Sequence, residues 1–141
     1  MDPIRHLVTV ACSPERAFEV FTADMGTWWD PAYSPDPASY TGIRVEPLVG
    51  GIVALVHGGA PYPFGEVTAW EPGRRFAQTF TLAMDPAHPS SLEVWFEPDE
   101  DGCRVVFEHG GWNDGNAGYR EKYRDWPHLL GRYVEAVEGD S

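Results

Sequence analysis

Aromatic and apolar side chains recur every three or four residues near the end of the chain. This spacing puts them on one face and predicts a long C-terminal helix. The face is unusually aromatic, and Tyr and Trp carry O–H or N–H groups that need partners when buried. It suits a wall shared between core and cavity, or a helix that simply packs aromatics onto a sheet. The stripe comprises Tyr119, Tyr123, Trp126, Leu130, Tyr133 and Val137.

The first part of the chain predicts one strand followed by two short helices. Residues 5–12 form a short β-branched run, which favours a strand. The Ser-Pro-Glu sequence at 13–15 is typical of a helix start, since Ser caps free N–H groups, Pro suits the first helical position and Glu lies near the positive helix end. A second helical turn is predicted around 25–29. Adjacent residues cannot share one helix face, so one of Trp28 and Trp29 should be core and the other pocket or surface.

A long connection separates these helices from the rest of the chain. Residues 30–42 contain three prolines and little apolar periodicity, which predicts a loop. Loops of this length in compact domains are often functional lids or simply mobile segments. The sequence leaves open whether this one is a lid.

Six strand-like runs follow the loop, each separated from the next by Gly, Pro or Asp signals. Short turns such as Val49-Gly50-Gly51 suit hairpins, whereas the segments HGGAPYP and MDPAHPSS predict two longer connections. The pattern therefore predicts an antiparallel meander. Its runs cover residues 43–47, 51–57, 64–71, 74–83, 91–98 and 102–109.

Alternation in the last strand indicates which side chains point inward. Cys103, Val105 and Phe107 share one face with His109, and the residues between them are more polar. Successive strand side chains leave opposite faces, so Glu108 points away from His109 and does not couple with it. One face of the sheet is thus apolar, and the last helix is the only element long enough to cover it.

Six segments, in order along nearly the whole chain, carry a resemblance to a known family. They are ACSPERAFEVFT at 11–22, WW at 28–29, VEPLVGG at 45–51, GEVTAWEPGRRF at 65–76, LEVWFEPDEDGCRVVFEHGGW at 92–112 and YRDWPHLLGRY at 123–133. The chain resembles the START-like (SRPBCC) superfamily, specifically its activator-of-heat-shock-ATPase-like branch. The resemblance implies one α+β domain over residues 1–141 with the helix-grip fold. In that fold an antiparallel curved sheet of about seven strands wraps around a long C-terminal helix, with two short helices after the first strand.

The resemblance implies a fold more firmly than an activity, because lipid binders, polyketide cyclases, hydrolases and co-chaperone domains share this scaffold. Members often have Gly before the Trp of the last helix, where this chain has Asp125. Pro127 removes the backbone donor toward Tyr123 and crowds that carbonyl, so we expect the helix to kink or break and to open space beneath it. The co-chaperones of this branch carry an additional N-terminal domain, for which these 141 residues have no room.

The two cysteines test the strand pairing that the resemblance implies. In that fold the first and last strands pair antiparallel, which would make Cys12 and Cys103 near neighbours. They lie far apart in sequence and lack the close spacing of a zinc site or a redox pair. We expect both thiols to stay reduced in a reducing compartment.

The net charge of the chain argues against polyanionic partners. Ten Lys and Arg against twenty-two Asp and Glu give a formal net charge of −12. This charge repels phosphate backbones and anionic lipid surfaces, so nucleic acid and membrane are not expected partners. The N-terminus lacks the apolar run of a secretory signal, and no stretch approaches the roughly 20 apolar residues of a membrane span. We expect a cytoplasmic protein, with homodimer formation left open.

The histidines offer one candidate for chemistry. No two of the five have the spacing of three or four that puts two ligands on one helical face, and we predict neither a metal site nor a cofactor. His109 shares the inward alternation and precedes Gly110-Gly111-Trp112. It could be a hydrogen-bonding group in a cavity, a general acid or base, or a hydrogen-bonded core histidine.

The combined pattern predicts a mostly apolar cavity between the sheet and the last helix, the usual form of a small-molecule site. The leading hypothesis is a non-catalytic module that binds a hydrophobic or aromatic small molecule. One alternative is an enzyme of the cyclase, dehydratase or hydrolase type using His109 with a tyrosine, and another is a co-chaperone-like protein-interaction domain. Strand 91–98 offers either Trp95 or Phe96, since each face has one large aromatic. The predicted lining is Trp28, Phe80, Trp95, His109, Trp112, Tyr123, Trp126 and Tyr133.

Overall fold

The computed structural model describes residues 2–82 and 84–139. Seven antiparallel strands form one curved sheet in the order β1-β7-β6-β5-β4-β3-β2, and the predicted α+β helix-grip architecture is confirmed. The strands are β1 Ile4–Val10, β2 Tyr40–Val45, β3 Ile52–His57, β4 Ala60–Glu71, β5 Arg75–Phe80, β6 Ser90–Asp99 and β7 Gly102–Gly110. The helices are α1 Pro14–Thr22, α2 Met25–Trp28 and α3 Trp126–Gly139, with 3-10 segments at Pro31–Tyr33, Pro37–Ser39 and Ala117–Tyr123.

The start of α1 follows the predicted cap. The Ser13 hydroxyl accepts a hydrogen bond from the Arg16 backbone N–H at 3.1 Å, and a proline occupies the first helical turn. The helix then buries one apolar side that includes Phe18 and Phe21. Local signals were sufficient here, because the cap and the apolar periodicity agree.

The turn between β3 and β4 is tighter than the long connection predicted from HGGAPYP. His57 pairs with Ala60, so only Gly58 and Gly59 form the turn. Their φ angles of 58° and 92° lie in the left-handed region that glycine adopts without a Cβ penalty. The prolines that suggested a loop instead belong to β4, which starts four residues earlier than predicted.

Two other strand boundaries also differ from those predicted from the sequence. The first strand of the meander begins at Tyr40, inside the predicted loop, and β5 ends at Phe80 rather than at residue 83. Leu82 lies in a turn, and residue 83, the end of the predicted strand, lies outside the described residues.

The pairing of the first and last strands is antiparallel, as the resemblance implied. Val10 lies opposite Cys103, which places Cys12 two residues beyond that pair. Both thiols are free; Cys103 is fully buried, and burial raises the pKa of its thiol to about 11.

The C-terminal helix is broken, as Pro127 predicted, and the break lies just before that residue. The aromatic stripe runs first along the 3-10 segment Ala117–Tyr123 and then along α3. Because α3 begins at Trp126, Pro127 occupies its first turn, where a missing N–H costs no helical hydrogen bond. The predicted helix is therefore two segments joined by a turn over Arg124 and Asp125.

The core lies between the sheet and the later turns of α3. Tyr133 is fully buried there, and its ring contacts Phe21 and Trp28 with centroids 5.2 and 5.6 Å apart. Its hydroxyl donates to the Ala17 carbonyl at 2.7 Å, which satisfies the polar end of a buried tyrosine. Among the described helices, none is both long and apolar enough to cross a membrane.

Candidate functional site

A pocket of about 410 Å³ lies where α3 begins. Its walls come from the loop after α2, from β4, from the end of β5 and from the junction between the last 3-10 segment and α3. Exposed side chains at its edge, such as Tyr62, show that it opens to solvent. The lining residues are Trp29, Ala32, Tyr33, Ser34, Pro35, Tyr62, Phe80, Leu82, Tyr123, Asp125, Trp126 and Leu129.

The loop wall is tied to the start of α3 by two side-chain contacts. The Tyr33 hydroxyl donates to the Asp125 carboxylate at 2.7 Å, and His128 Nε2 lies 2.9 Å from the Asp30 carboxylate. The Ala32 backbone N–H donates to Asp30, and this bond, followed by the one from His128, lowers the pKa of the Asp30 carboxyl. These contacts hold the loop against the start of α3, where it forms one side of the pocket.

The floor of the pocket is a set of aromatic rings packed edge to face or tilted. The Phe80 ring lies 5.4 Å from that of Tyr123 and 5.9 Å from that of Trp126. The Trp29 ring lies 6.0 Å from that of Trp126 and closes the loop side. Tyr123 also donates its hydroxyl to the Leu82 carbonyl, which holds the 3-10 segment against the end of β5.

His109 lies behind this floor and is fully buried. The indole N–H of Trp126 donates to His109 Nδ1 at 3.1 Å, and an indole nitrogen can only donate, so Nδ1 carries no proton. His109 Nε2 therefore bears the hydrogen and donates to Ser90 Oγ at 2.7 Å. The Ser90 hydroxyl in turn donates to the Phe80 carbonyl at 2.8 Å.

This chain of bonds sets what His109 can do. Burial lowers the pKa of its imidazole to about 3, so the ring is neutral at pH 7. A base that activates Ser90 would need an unprotonated Nε2, whereas the bond from Trp126 requires the opposite tautomer. The arrangement holds Trp126 and Phe80 in position and resembles a satisfied core histidine.

Three of the predicted lining residues, Phe80, Tyr123 and Trp126, line this pocket. His109 and Trp112 stand behind them, with ring centroids 4.6 Å apart. The indole N–H of Trp112 donates to the His109 carbonyl at 2.9 Å. These two residues support the floor from the core side.

The other three predicted residues lie outside the pocket lining. Trp28 of α2 and Tyr133 of α3 belong to the filled core, because they pack against each other and against Phe21 of α1. Trp95 is half-buried on the outer face of β6, where it pairs with Arg75 across the strands. Phe96 is the inward aromatic of β6, 5.4 Å from Phe18.

Sequence reasoning did not assign the loop wall. Trp29 is the pocket member of the Trp pair, and Tyr33, Pro35 and Asp125 complete the rim. The Trp pair carried part of this signal, since its two members could not share one helix face; Trp29 is buried and also lines the pocket. The Tyr33–Asp125 bond joins residues 92 positions apart and had no sequence signature.

In the part of the chain that the structure describes, no group of side chains is arranged to bind a metal ion. No three His, Cys, Asp or Glu side chains converge there in a way that could hold an ion.

The comparison with protein families matches residues 11–138 to the model of the activator of Hsp90 ATPase homolog 1-like proteins. The chain belongs to this family. The match spans the segment from the end of β1 to the last turn of α3 and therefore includes every wall of the pocket.

Solved structures extend the likeness over the whole fold. The protein MLL2253 from Mesorhizobium loti is 18% identical with a TM-score of 0.72, and the match covers 99% of both chains. The Aha1 dimer from Colwellia psychrerythraea is 23% identical with a TM-score of 0.67, covering 98% of this chain and 97% of that one. The anthrahydroquino-gamma-pyrone synthase Txn09 is 27% identical with a TM-score of 0.63 and 96% coverage of each chain. A search of curated proteins gave no significant match.

Proposed function

We propose that this family member is a START-like module that binds a hydrophobic or aromatic small molecule, without catalysis, in the cytoplasm. The observation that carries the proposal is the open pocket at the start of α3, with its floor of aromatic rings. Concave, mostly apolar sites with a few polar groups are the usual form of small-molecule sites. The volume of about 410 Å³ lies in the range of such sites.

The name of one similar protein agrees with this ligand class. Txn09 is called an anthrahydroquino-gamma-pyrone synthase, a name that denotes a fused aromatic compound. That likeness supports the ligand class more than a reaction, because His109 in this chain is neutral and both of its ring nitrogens are engaged within the protein. Should the protein nevertheless be an enzyme of the cyclase, dehydratase or hydrolase type that relies on this acid/base, His109→Ala would lose about two to four powers of ten in turnover.

A pocket-filling substitution tests the binding proposal. Ala32 is exposed and lines the pocket, so Ala32→Trp should place an indole in the cavity and lower the affinity for 2-naphthol by at least about tenfold, since most of the contact area is lost. Isothermal titration calorimetry measures the change. Ala87→Trp is the matched control, because Ala87 is also exposed in a loop but lies outside the pocket lining. Equal affinity of both variants and the unmodified protein would contradict binding in this pocket.

A protein-interaction role is the second candidate. The similar Aha1 of Colwellia psychrerythraea is described as a dimer, which favours a homodimer of this chain as well. Sedimentation equilibrium would decide between monomer and dimer. A dimer whose formation is abolished by Ala32→Trp would favour the interaction role for the pocket over small-molecule binding.

A further inference from the structure

We infer that the pocket selects aromatic ligands that donate hydrogen bonds, phenols and aromatic ammonium compounds, over those that only accept them, such as aryl ethers and carboxylates. This inference rests on the proposed function and names the ligand chemistry of the same site. Most hydrogen-bond donors of the pocket walls are already used within the protein, whereas several acceptors can still take a bond from a ligand.

The hydrogen-bond donors of the aromatic walls are already used within the protein. The Trp126 indole donates to His109 and the Trp29 indole donates to the Tyr33 carbonyl at 3.4 Å. The hydroxyls of Tyr33 and Tyr123 donate to Asp125 and to the Leu82 carbonyl. A phenol that has given its one proton keeps only lone pairs, so these tyrosines can accept a bond from a ligand but cannot supply one.

The loop wall is equally short of donors. The backbone N–H groups of Tyr33 and Ser34 donate to the carbonyls of Asp30 and Pro31, and the Ala32 N–H donates to the Asp30 side chain. The Ser34 hydroxyl donates to the Pro31 carbonyl at 2.8 Å. Pro35, the next lining residue, has no N–H.

The start of α3 would ordinarily attract an anion, but here two of its backbone donors are occupied and a third is missing. The N–H groups of His128 and Leu129 both bond to the Asp125 carbonyl, and Pro127 contributes none. The Asp125 carboxylate stands at the same place and, among the lining side chains that the structure describes, is the only ionisable acid or base apart from phenols. A ligand carboxylate would therefore lose water, would find few donors to replace it and would face a like charge.

Tyr62 is the remaining hydroxyl of the lining. Its side chain is 45% exposed, so water satisfies it without a ligand. A bond from this hydroxyl to a ligand would only replace a bond to water, so it adds little to the affinity of an accepting ligand.

Four naphthalene probes with the same ring test the inference: 2-naphthol, 2-methoxynaphthalene, 2-naphthylmethylammonium and 2-naphthoate. Calorimetric titration of the full chain at pH 7 should show 2-naphthol binding about two- to tenfold more tightly than its methyl ether, the usual net value of one hydrogen bond. The ammonium compound should bind at least about tenfold more tightly than the carboxylate, because charged hydrogen bonds are stronger.

The Asp125→Asn variant assigns the preference to this carboxylate. The amide oxygen still accepts from Tyr33, but the charge is gone and an N–H donor is added, so the ratio of ammonium to carboxylate affinity should fall to near one. Asp101→Asn removes the same charge from an exposed turn at the opposite end of β6 and should keep the ratio. The comparison of the four probes on the unmodified chain keeps the inference testable should Asp125→Asn not fold.

The outcomes separate the inference from the function on which it rests. If none of the four probes binds, the proposed function fails. If all bind but the ether or the carboxylate binds as tightly as its partner, the function stands and the donor preference is overturned. An unchanged ratio in folded Asp125→Asn would also overturn it.

Discussion

The start and the middle of the last helix carry similar aromatic side chains in different surroundings. Tyr133, near its middle, is enclosed by Phe21 and Trp28 and belongs to a filled core. Trp126, at its start, is buried against the sheet but borders an open pocket. The difference lies in the element that faces each residue. Helices α1 and α2 pack against Tyr133, whereas the pocket lies between Trp126 and loop residues 32–35. Aromatic periodicity thus defines a helix face, and the element opposite decides whether that face is core or pocket wall.

Two adjacent leucines test this comparison with the same substitution. Leu130 is 1% exposed and belongs to the filled core, so Leu130→Ala should lower the free energy of unfolding by about 2–5 kcal/mol through lost burial and a new cavity. Leu129 is 5% exposed and lines the pocket, so Leu129→Ala should cost less, because the vacated space joins an existing opening. Urea denaturation measures both values. Equal costs would mean that the pocket is closed and packed like the core.

Acidification should lower the free energy of unfolding, because His109 is buried in its neutral form. The unfolded chain binds a proton at this imidazole near pH 6.5, whereas the folded pKa is lowered to about 3. The stability due to the neutral ring is complete above pH 6.5 and falls by about 1.4 kcal/mol for each pH unit below it, until the folded pKa is reached. Urea titrations between pH 7.5 and 5.5 measure the slope.

The control for this pH effect is His88→Asn, since His88 is exposed. That variant should keep the slope, whereas His109→Asn should lose much of it, together with part of the stability at neutral pH. A pH-independent stability of the unmodified protein in this range would contradict a buried neutral imidazole.

Trp126→Ala should weaken binding of 2-naphthol by about 1 kcal/mol or more, because contact area and ring packing are lost. Trp95→Ala makes the same change on the outer face of β6 and should leave affinity unchanged. Titration followed by indole fluorescence, with Trp126 present or absent, reports the difference. If both variants bind equally, the aromatic floor does not contribute to the site.

The smallest effect is expected at the loop wall. Tyr33→Phe removes the bond to Asp125, which lies at a solvent-exposed position, and should change the free energy of unfolding by no more than about 0.5–1 kcal/mol. Urea denaturation should show this small shift, and amide exchange of residues 32–35 should quicken more than exchange in β7. A loss as large as that of Leu130→Ala would place the loop within the cooperative core.

Local signals in the sequence were sufficient for elements whose propensity, capping and periodicity agree. The Ser13 cap of α1, the inward alternation that ends at His109 and the break at Pro127 were predicted in this way, because each depends on neighbours within a few residues. The turn at Gly58 and Gly59 was missed, since proline composition suggested a loop where two positive φ angles allow a tight hairpin.

The sequence by itself determined most helices and strands and the aromatic face at the end of the chain, because residue spacing reflects the helix and strand periods. Its resemblance to a known family implied the fold class. Only the tertiary structure decided which aromatics border open space. That choice depends on contacts between distant residues, such as Tyr33 with Asp125 and Trp126 with His109. Hydrogen bonds of this kind produce no periodic pattern in the sequence, yet they determine which donors the pocket retains and fix the tautomer of its buried histidine.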